Sequence, residues 1–210
     1  MSNRPSLLKL KNLSIIAGIV LVVFTCIYYY TQIIISLNVK PEDKPAAAEP
    51  KTPAAPVAVE GCFYPSGFIG DYDDLTLDGA STEDPHSADT CVKATYSAKK
   101  SQGKGWAGVY WLYPEGNWGE KPGYDFSGKA FTKLTFWAKG RASVTFKVGG
   151  IKDSVPASSG MKALSDKWEK YTIDLSGLDL GNVIGGFCFT ADYQSNPEGC
   201  VFYLDDIQFE

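Results

Sequence analysis

Residues 143–148 read Ser-Val-Thr-Phe-Lys-Val, with Val144, Phe146 and Val148 alternating against Ser143, Thr145 and Lys147. A period of two places the three apolar side chains on one face of a strand and the polar ones on the other. The same alternation holds on either side. Val92, Ala94 and Tyr96 alternate with Lys93 and Thr95, and Tyr171, Ile173 and Leu175 with Lys170, Thr172 and Asp174. Further strands are expected at Asp74–Asp78, Trp106–Tyr113, Leu134–Ala138, Gly186–Ala191 and Val201–Phe209, separated by Gly, Pro, Asn, Asp and Ser clusters. No helical period longer than a few residues interrupts them, and no strand–helix alternation signals a parallel sheet. The expected fold is an all-β, two-sheet antiparallel sandwich of jelly-roll type. Residues 149–166 are expected to form a long loop with a short turn of helix.

The N-terminal quarter follows different rules. Leu13–Leu37 carries no formal charge over twenty-five residues, enough to cross a bilayer with some tilt at about 1.5 Å per residue. It exceeds a signal-peptide core of about 7–15 residues and lacks a small-residue cleavage site directly after it, so an uncleaved signal anchor is expected. Residues 1–12 form a short tail. Residues 38–60, rich in Pro, Ala and charge, read as a semi-rigid linker. The jelly-roll body is expected over residues 61–210.

Four of the five cysteines, Cys62, Cys91, Cys188 and Cys200, fall in that body, an even number suited to two disulfides in an oxidising compartment. Three pairings are open. Cys188 and Cys200 close the unit Phe187–Phe202, which favours their union and leaves Cys62 with Cys91. These cysteines place the body on the periplasmic or extracellular side of the membrane. A net charge of −4 argues against a nucleic-acid binder, which needs clustered Lys and Arg.

Three segments carry a resemblance. Phe202–Phe209 (FYLDDIQF), Asp166–Gly177 (DKWEKYTIDLSG) and Lys133–Gly140 (KLTFWAKG) resemble strands of jelly-roll carbohydrate-binding modules and the wider galactose-binding-like superfamily. Asp89–Ser97 (DTCVKATYS) is similar to an early strand of those modules, so the likeness spans Gly61–Glu210. The resemblance implies the sandwich and, in many such modules, a structural calcium ion held by an Asp of the last strand. If Ile207 and Phe209 point inward, strict alternation turns Asp205 inward too, so Asp205 is the first metal candidate. Its candidate partners are Asp71, Asp73 and Asp74 of the acidic run Gly70–Asp74, or carbonyls of the Glu83–Thr90 loop. The alternative is that Asp205 bonds backbone amides and the acidic run is a solvated turn.

Sugar rings pack their C–H faces on flat aromatic surfaces while their hydroxyls take hydrogen bonds, so a glycan site needs aromatic and polar residues together. Gly105–Gly123 supplies both: Trp106 and Tyr110 share one face of a strand, and Trp118 stands beside Glu115 and Asn117. Trp137 projects opposite Leu134, Phe136 and Ala138 and is a further candidate platform, whereas Trp168 is assigned to the core. Tyr193, Gln194 and Asn196 are candidate donors and acceptors beside the site. The single histidine, His86, reads as a turn residue. Glu115 and Glu120, the one close Glu pair outside the strands, flank a tight Gly-rich loop, and no glycosidase-like spaced acidic motif, nucleophile elbow or phosphate-cradling loop marks an enzyme. The expectation is a non-catalytic, membrane-anchored module that binds a polysaccharide or surface glycan. The alternative is a structural or docking sandwich with a cell-envelope protein partner.

Overall fold

The alternating runs pair as eleven strands in a computed structural model, which describes residues 23–31, 54–153 and 155–210. The chain divides into two units, Met1–Pro50 and Lys51–Glu210. In the first, residues 23–31 are helical. Among the described residues no helix is long and apolar enough to cross a membrane, and most of the Leu13–Leu37 run lies outside them. Residues 1–12 and most of the expected linker, residues 38–53, also lie outside the described residues.

The second unit holds the strands: β1 Val57–Ala58, β2 Tyr64–Gly70, β3 Leu75–Ser81, β4 Cys91–Tyr96, β5 Trp106–Leu112, β6 Lys133–Gly140, β7 Ser143–Val148, β8 Ala157–Ala163, β9 Glu169–Asp174, β10 Gly185–Asp192 and β11 Cys200–Phe209. One sheet runs β3-β4-β11-β6-β9, with β1 added beside β11; the other runs β2-β5-β10-β7-β8. Every strand pairing is antiparallel. This is a two-sheet sandwich.

Alternation sets the core. Val144, Phe146 and Val148 of β7, Phe187, Phe189 and Ala191 of β10, and Ala107, Val109 and Trp111 of β5 face inward from one sheet. Val92, Ala94 and Tyr96 of β4 and Phe202 and Leu204 of β11 meet them from the other. Aromatic rings interlock between the sheets, Phe136 against Phe146 at 4.6 Å, Phe136 against Phe187 at 5.3 Å and Phe189 against Phe202 at 4.9 Å between centroids. Those separations suit tilted and edge-to-face contacts, which gain more than burial alone.

Three expectations change here. The folded unit starts before Gly61, because Val57 and Ala58 pair with Phe209 and Gln208 and Val59 is fully buried. Residues 149–166 are not a loop with a helical turn. Their second half is β8, an edge strand against β7 with small and polar residues (ASSGMKA) that carry no apolar alternation. Edge strands need only one hydrogen-bonded neighbour and one covered face, so their sequences betray them least.

The cysteines form no disulfide; all five are free thiols. Cys188 lies on the outer face of β10 with Tyr110, whereas Cys200 faces the core from β11 in the opposite sheet, so the expected pair points apart. Nor do Cys62 and Cys91 meet. Cys62 stands beside the Tyr124 hydroxyl, and the Cys91 Sγ lies 3.8 Å from the Glu83 carbonyl. The argument from disulfides to an oxidising compartment goes with them.

Candidate functional site

Strand β5 decides where an aromatic site can form. Its inward set is Ala107, Val109 and Trp111, so Trp106, Gly108, Tyr110 and Leu112 face outward from the sheet. Across the pairing, Gly108 sits opposite Thr190 and Trp106 opposite Asp192. On the far side of β10, Cys188 sits opposite Lys147 and Thr190 opposite Thr145. The outer face of this sheet thereby carries an open trough of about 770 Å³. Trp106, Lys147, Thr190, Asp192, Tyr193 and Gln194 line it, together with the loop residues Lys100 and Lys104. Glycine is required where β5 passes closest to β10. A Cβ at Gly108 would lie 2.4 Å from the Phe189 carbonyl oxygen and 2.8 Å from the Thr190 Cγ2.

Trp106 is 38% exposed, which leaves ring surface open to the trough. Tyr193 stands beside it, with the Lys100 Nζ 3.3 Å from the Tyr193 ring centroid in a close cation–π contact. The loop that carries Lys100, Lys104 and Gly105 is held from beneath by Asp71. Its carboxylate is fully buried and accepts backbone N–H bonds from Gln102 (2.9 Å), Lys104 (2.8 Å) and Gly105 (2.6 Å). Burial alone would favour the neutral acid, but those amides outweigh it and hold the carboxyl below its ordinary value. The side chain thus fixes one wall of the trough.

A second aromatic station stands further along β5, roughly 13 Å away for four residues of strand. There Trp118 packs edge-on over Tyr110, with ring centroids 6.3 Å apart and planes at 78°. Trp118 is 38% exposed; Tyr110 is only 9% exposed, closed in by Ile151, Ile184 and Cys188. Burial pushes the Tyr110 hydroxyl well above its ordinary value, with the neighbouring Cys188 adding to the rise. The Cys188 thiol is itself pushed up to about 12 by burial. Tyr110 is therefore the support for Trp118, not an open platform.

Asn117 is likewise corrected. It is 3% exposed, its Nδ2 donates to the Tyr113 and Lys121 carbonyls, and its Oδ1 accepts from the Gly119, Glu120 and Lys121 amides. With every polar atom used, it clamps the Trp118 loop and has nothing left for a sugar. Glu115 is exposed in the same loop. Asn196 is also structural, bonding Ser143 on both its N–H and its carbonyl, while Gln194 does line the trough.

Trp137 belongs to the other sheet. The loop before β4 folds over it, and the His86 ring stacks on Trp137 at 3.9 Å and 20°. His86 Nδ1 lies 2.8 Å from an Asp206 oxygen, and Asp205 Oδ2 accepts the His86 and Ser87 amides at 2.9 and 3.1 Å. Trp168 is not in the core either. It is half-buried on that outer face, donating Nε1–H to the Asp84 carbonyl at 3.1 Å beneath Lys139.

The calcium expectation meets a specific obstacle. Asp206 takes a left-handed conformation, φ 49°, and the β11–β6 register shifts between Asp205 and Gln208. That bulge breaks strict alternation: Phe202 and Leu204 face inward before it, Ile207 and Phe209 after it, and Asp205 turns outward. Asp205 stands beyond the Leu204–Val92 pair at the start of β4, whereas Leu75, just after the acidic run, pairs with Tyr96 at its end. Asp71 spends its lone pairs on amides, and Asp73 pairs with the Gln102 side chain. These donors do not fit one ion, and among the described residues no group of three His, Cys, Asp or Glu converges to hold a metal.

No family model and no curated protein matches this chain. Solved structures do. A family 29 carbohydrate-binding module mutant complexed with mannohexaose is similar at 12% identity and TM-score 0.43, over 75% of this chain and 92% of that one. The family 11 carbohydrate-binding module from Clostridium thermocellum, in complex with a β-1,3-1,4-mixed-linked tetrasaccharide, is similar at 14% identity and TM-score 0.42, over 64% and 80%. An exo-β-agarase is similar at 12% identity and TM-score 0.45, over 65% of this chain and 23% of the enzyme.

Proposed function

We propose that the chain is a non-catalytic polysaccharide-binding module whose ligand lies along the outer face of the β2-β5-β10-β7-β8 sheet. The observation that carries this reading is the pair of exposed tryptophans, Trp106 and Trp118, on one sheet face beside a trough with polar walls. Exposed aromatic surface next to Gln194, Thr190 and lysine donors matches the two needs of a sugar, an apolar platform and hydrogen-bonding edges. Asp192 is the single carboxylate lining the trough, whereas glycoside hydrolysis takes two held about 5–9.5 Å apart. The uncharged run Leu13–Leu37 supports a membrane anchor, and a polymer ligand suits a domain displayed on the outward side.

Covering about 60 Å² of ring face at about 25 cal/mol per Å² contributes about 1.5 kcal/mol, a tenfold change in Kd. The test is a tryptophan-fluorescence titration of the full-length chain in mild detergent against a panel of soluble polysaccharides. We expect saturable binding to one glycan class, weakened about tenfold in Trp106→Ala and in Trp118→Ala. Binding that both variants retain at full strength would overturn the reading.

A further inference from the structure

We infer that the glycan taken by this trough is acidic, a polymer bearing carboxylate or sulfate groups; the inference rests on the binding reading above. Three lysines, Lys100, Lys104 and Lys147, line the trough against one carboxylate, Asp192, in a chain whose net charge is −4. The local excess is therefore opposite in sign to the whole molecule. Asp192 is also partly occupied, because its Oδ1 accepts the Ser195 amide at 2.9 Å.

Of the other cations among the described residues, Lys99, Lys121, Lys129, Lys152, Lys162 and Lys167 form no ion pair, while the remaining five are matched. Lys93 pairs with Glu83, Lys139 with Asp84, Lys133 and Lys170 with Glu210, and Arg141 with Asp166. Among the described residues, none of the three trough lysines forms an ion pair. Lys147 is the telling one. It projects from β7 onto the sheet face between Cys188 and Ser158, half-buried along its length, and has no carboxylate partner there. An ammonium on a trough wall with no carboxylate beside it is free to form charge-assisted hydrogen bonds with an anionic ligand. Lys100, poised over the Tyr193 ring, sets a second positive charge beside the Trp106 platform. A sugar stacked on Trp106 thus has ammonium groups around it, and a substituent such as a carboxylate or sulfate ester is the group they recognise.

The experiment titrates the full-length chain, in mild detergent, with polygalacturonate, a sulfated galactan and neutral hydroxyethyl cellulose at low and high NaCl. One anionic polymer should bind at least about tenfold tighter than the neutral one, and the carboxylated and sulfated arms identify which anion. Raising salt from 0.05 to 0.5 M, which shortens the screening length to a few ångströms, should weaken that binding by about tenfold. Lys147→Met should lose about tenfold toward the anionic polymer and markedly less toward the neutral one, which loses only a neutral hydrogen bond. Lys104→Ala, in an exposed loop that tolerates change, should lose a few fold and guards against a folding defect in the strand variant. Equal affinity for neutral and anionic polymers would overturn the inference, and loss of that binding in Trp106→Ala would leave the stacking reading standing. Anionic binding indifferent to Trp106→Ala would be adsorption to surface charge and would overturn it as well. Silence across all three polymers would refute both.

Discussion

Replacing Asn117 with alanine separates a loop clamp from a sugar ligand. Asn117 makes five hydrogen bonds, two donated to the Tyr113 and Lys121 carbonyls and three accepted from successive amides. At about 0.5–1.5 kcal/mol net for each, with some of the freed groups rehydrated at the surface, the loss is about 2–4 kcal/mol. For a domain of this size each kcal/mol moves the midpoint by about 2–4 °C, so Asn117→Ala should lower Tm by about 10 °C. Circular dichroism melts of the full-length chain, beside a Glu115→Ala control that should melt like the parent, provide the assay. Polysaccharide binding should weaken too, since the clamp positions Trp118. An Asn117→Ala protein that melts like the parent would refute the reasoning, whatever its affinity.

Three further outcomes are expected. Hydrogen bonding with Lys133 foremost, supported by Thr135, Gln208 and Lys170, holds the Glu210 carboxyl at about 2, below its ordinary 4.5. A depressed folded value gives stability that is complete above pH about 4.5 and is lost as pH falls toward about 2, so a Tm-against-pH series should show Glu210→Gln with a flatter acid limb than the parent; superimposable limbs would contradict the assignment. Thiol titration of the chain denatured without reductant should count all five cysteines, and native protein should hold Cys188 and Cys200 unreactive, because burial pushes their thiols up to about 12 and about 11. A count of one would restore two disulfides. His86→Ala should uncover Trp137 and red-shift the tryptophan emission while leaving polysaccharide affinity unchanged; lost affinity would return Trp137 to the site.

The alternation of Val144, Phe146 and Val148 was legible because both sides of that strand obey one rule, core on one face and solvent on the other. Trp106 and Tyr110 were correctly placed on a common face, but which face is buried depends on strands far away in sequence. The bulge at Asp206 hid the true direction of Asp205, since one residue in a left-handed conformation inverts every position after it. Lys147 escaped notice as a site residue for a related reason. It looked like the wet partner of a core strand, and only the pairing with β10 sets it on the trough wall. Asn117 had the chemistry of a ligand contact, yet side-chain amides in Gly-rich loops serve the backbone as readily as a sugar. Tyr193 and Gln194 were visible as neighbours because their loop directly continues β10.

The loop bearing His86 closes over Trp137 and thereby takes that ring out of use as an open platform. On the proposed reading, with the trough as its one glycan site, the molecule is monovalent: it can coat a polymer but cannot bridge two of them. Any grip stronger than one trough provides must come from numbers, with several copies held side by side meeting successive stretches of the same chain. Avidity would then be governed by surface density more than by the site itself.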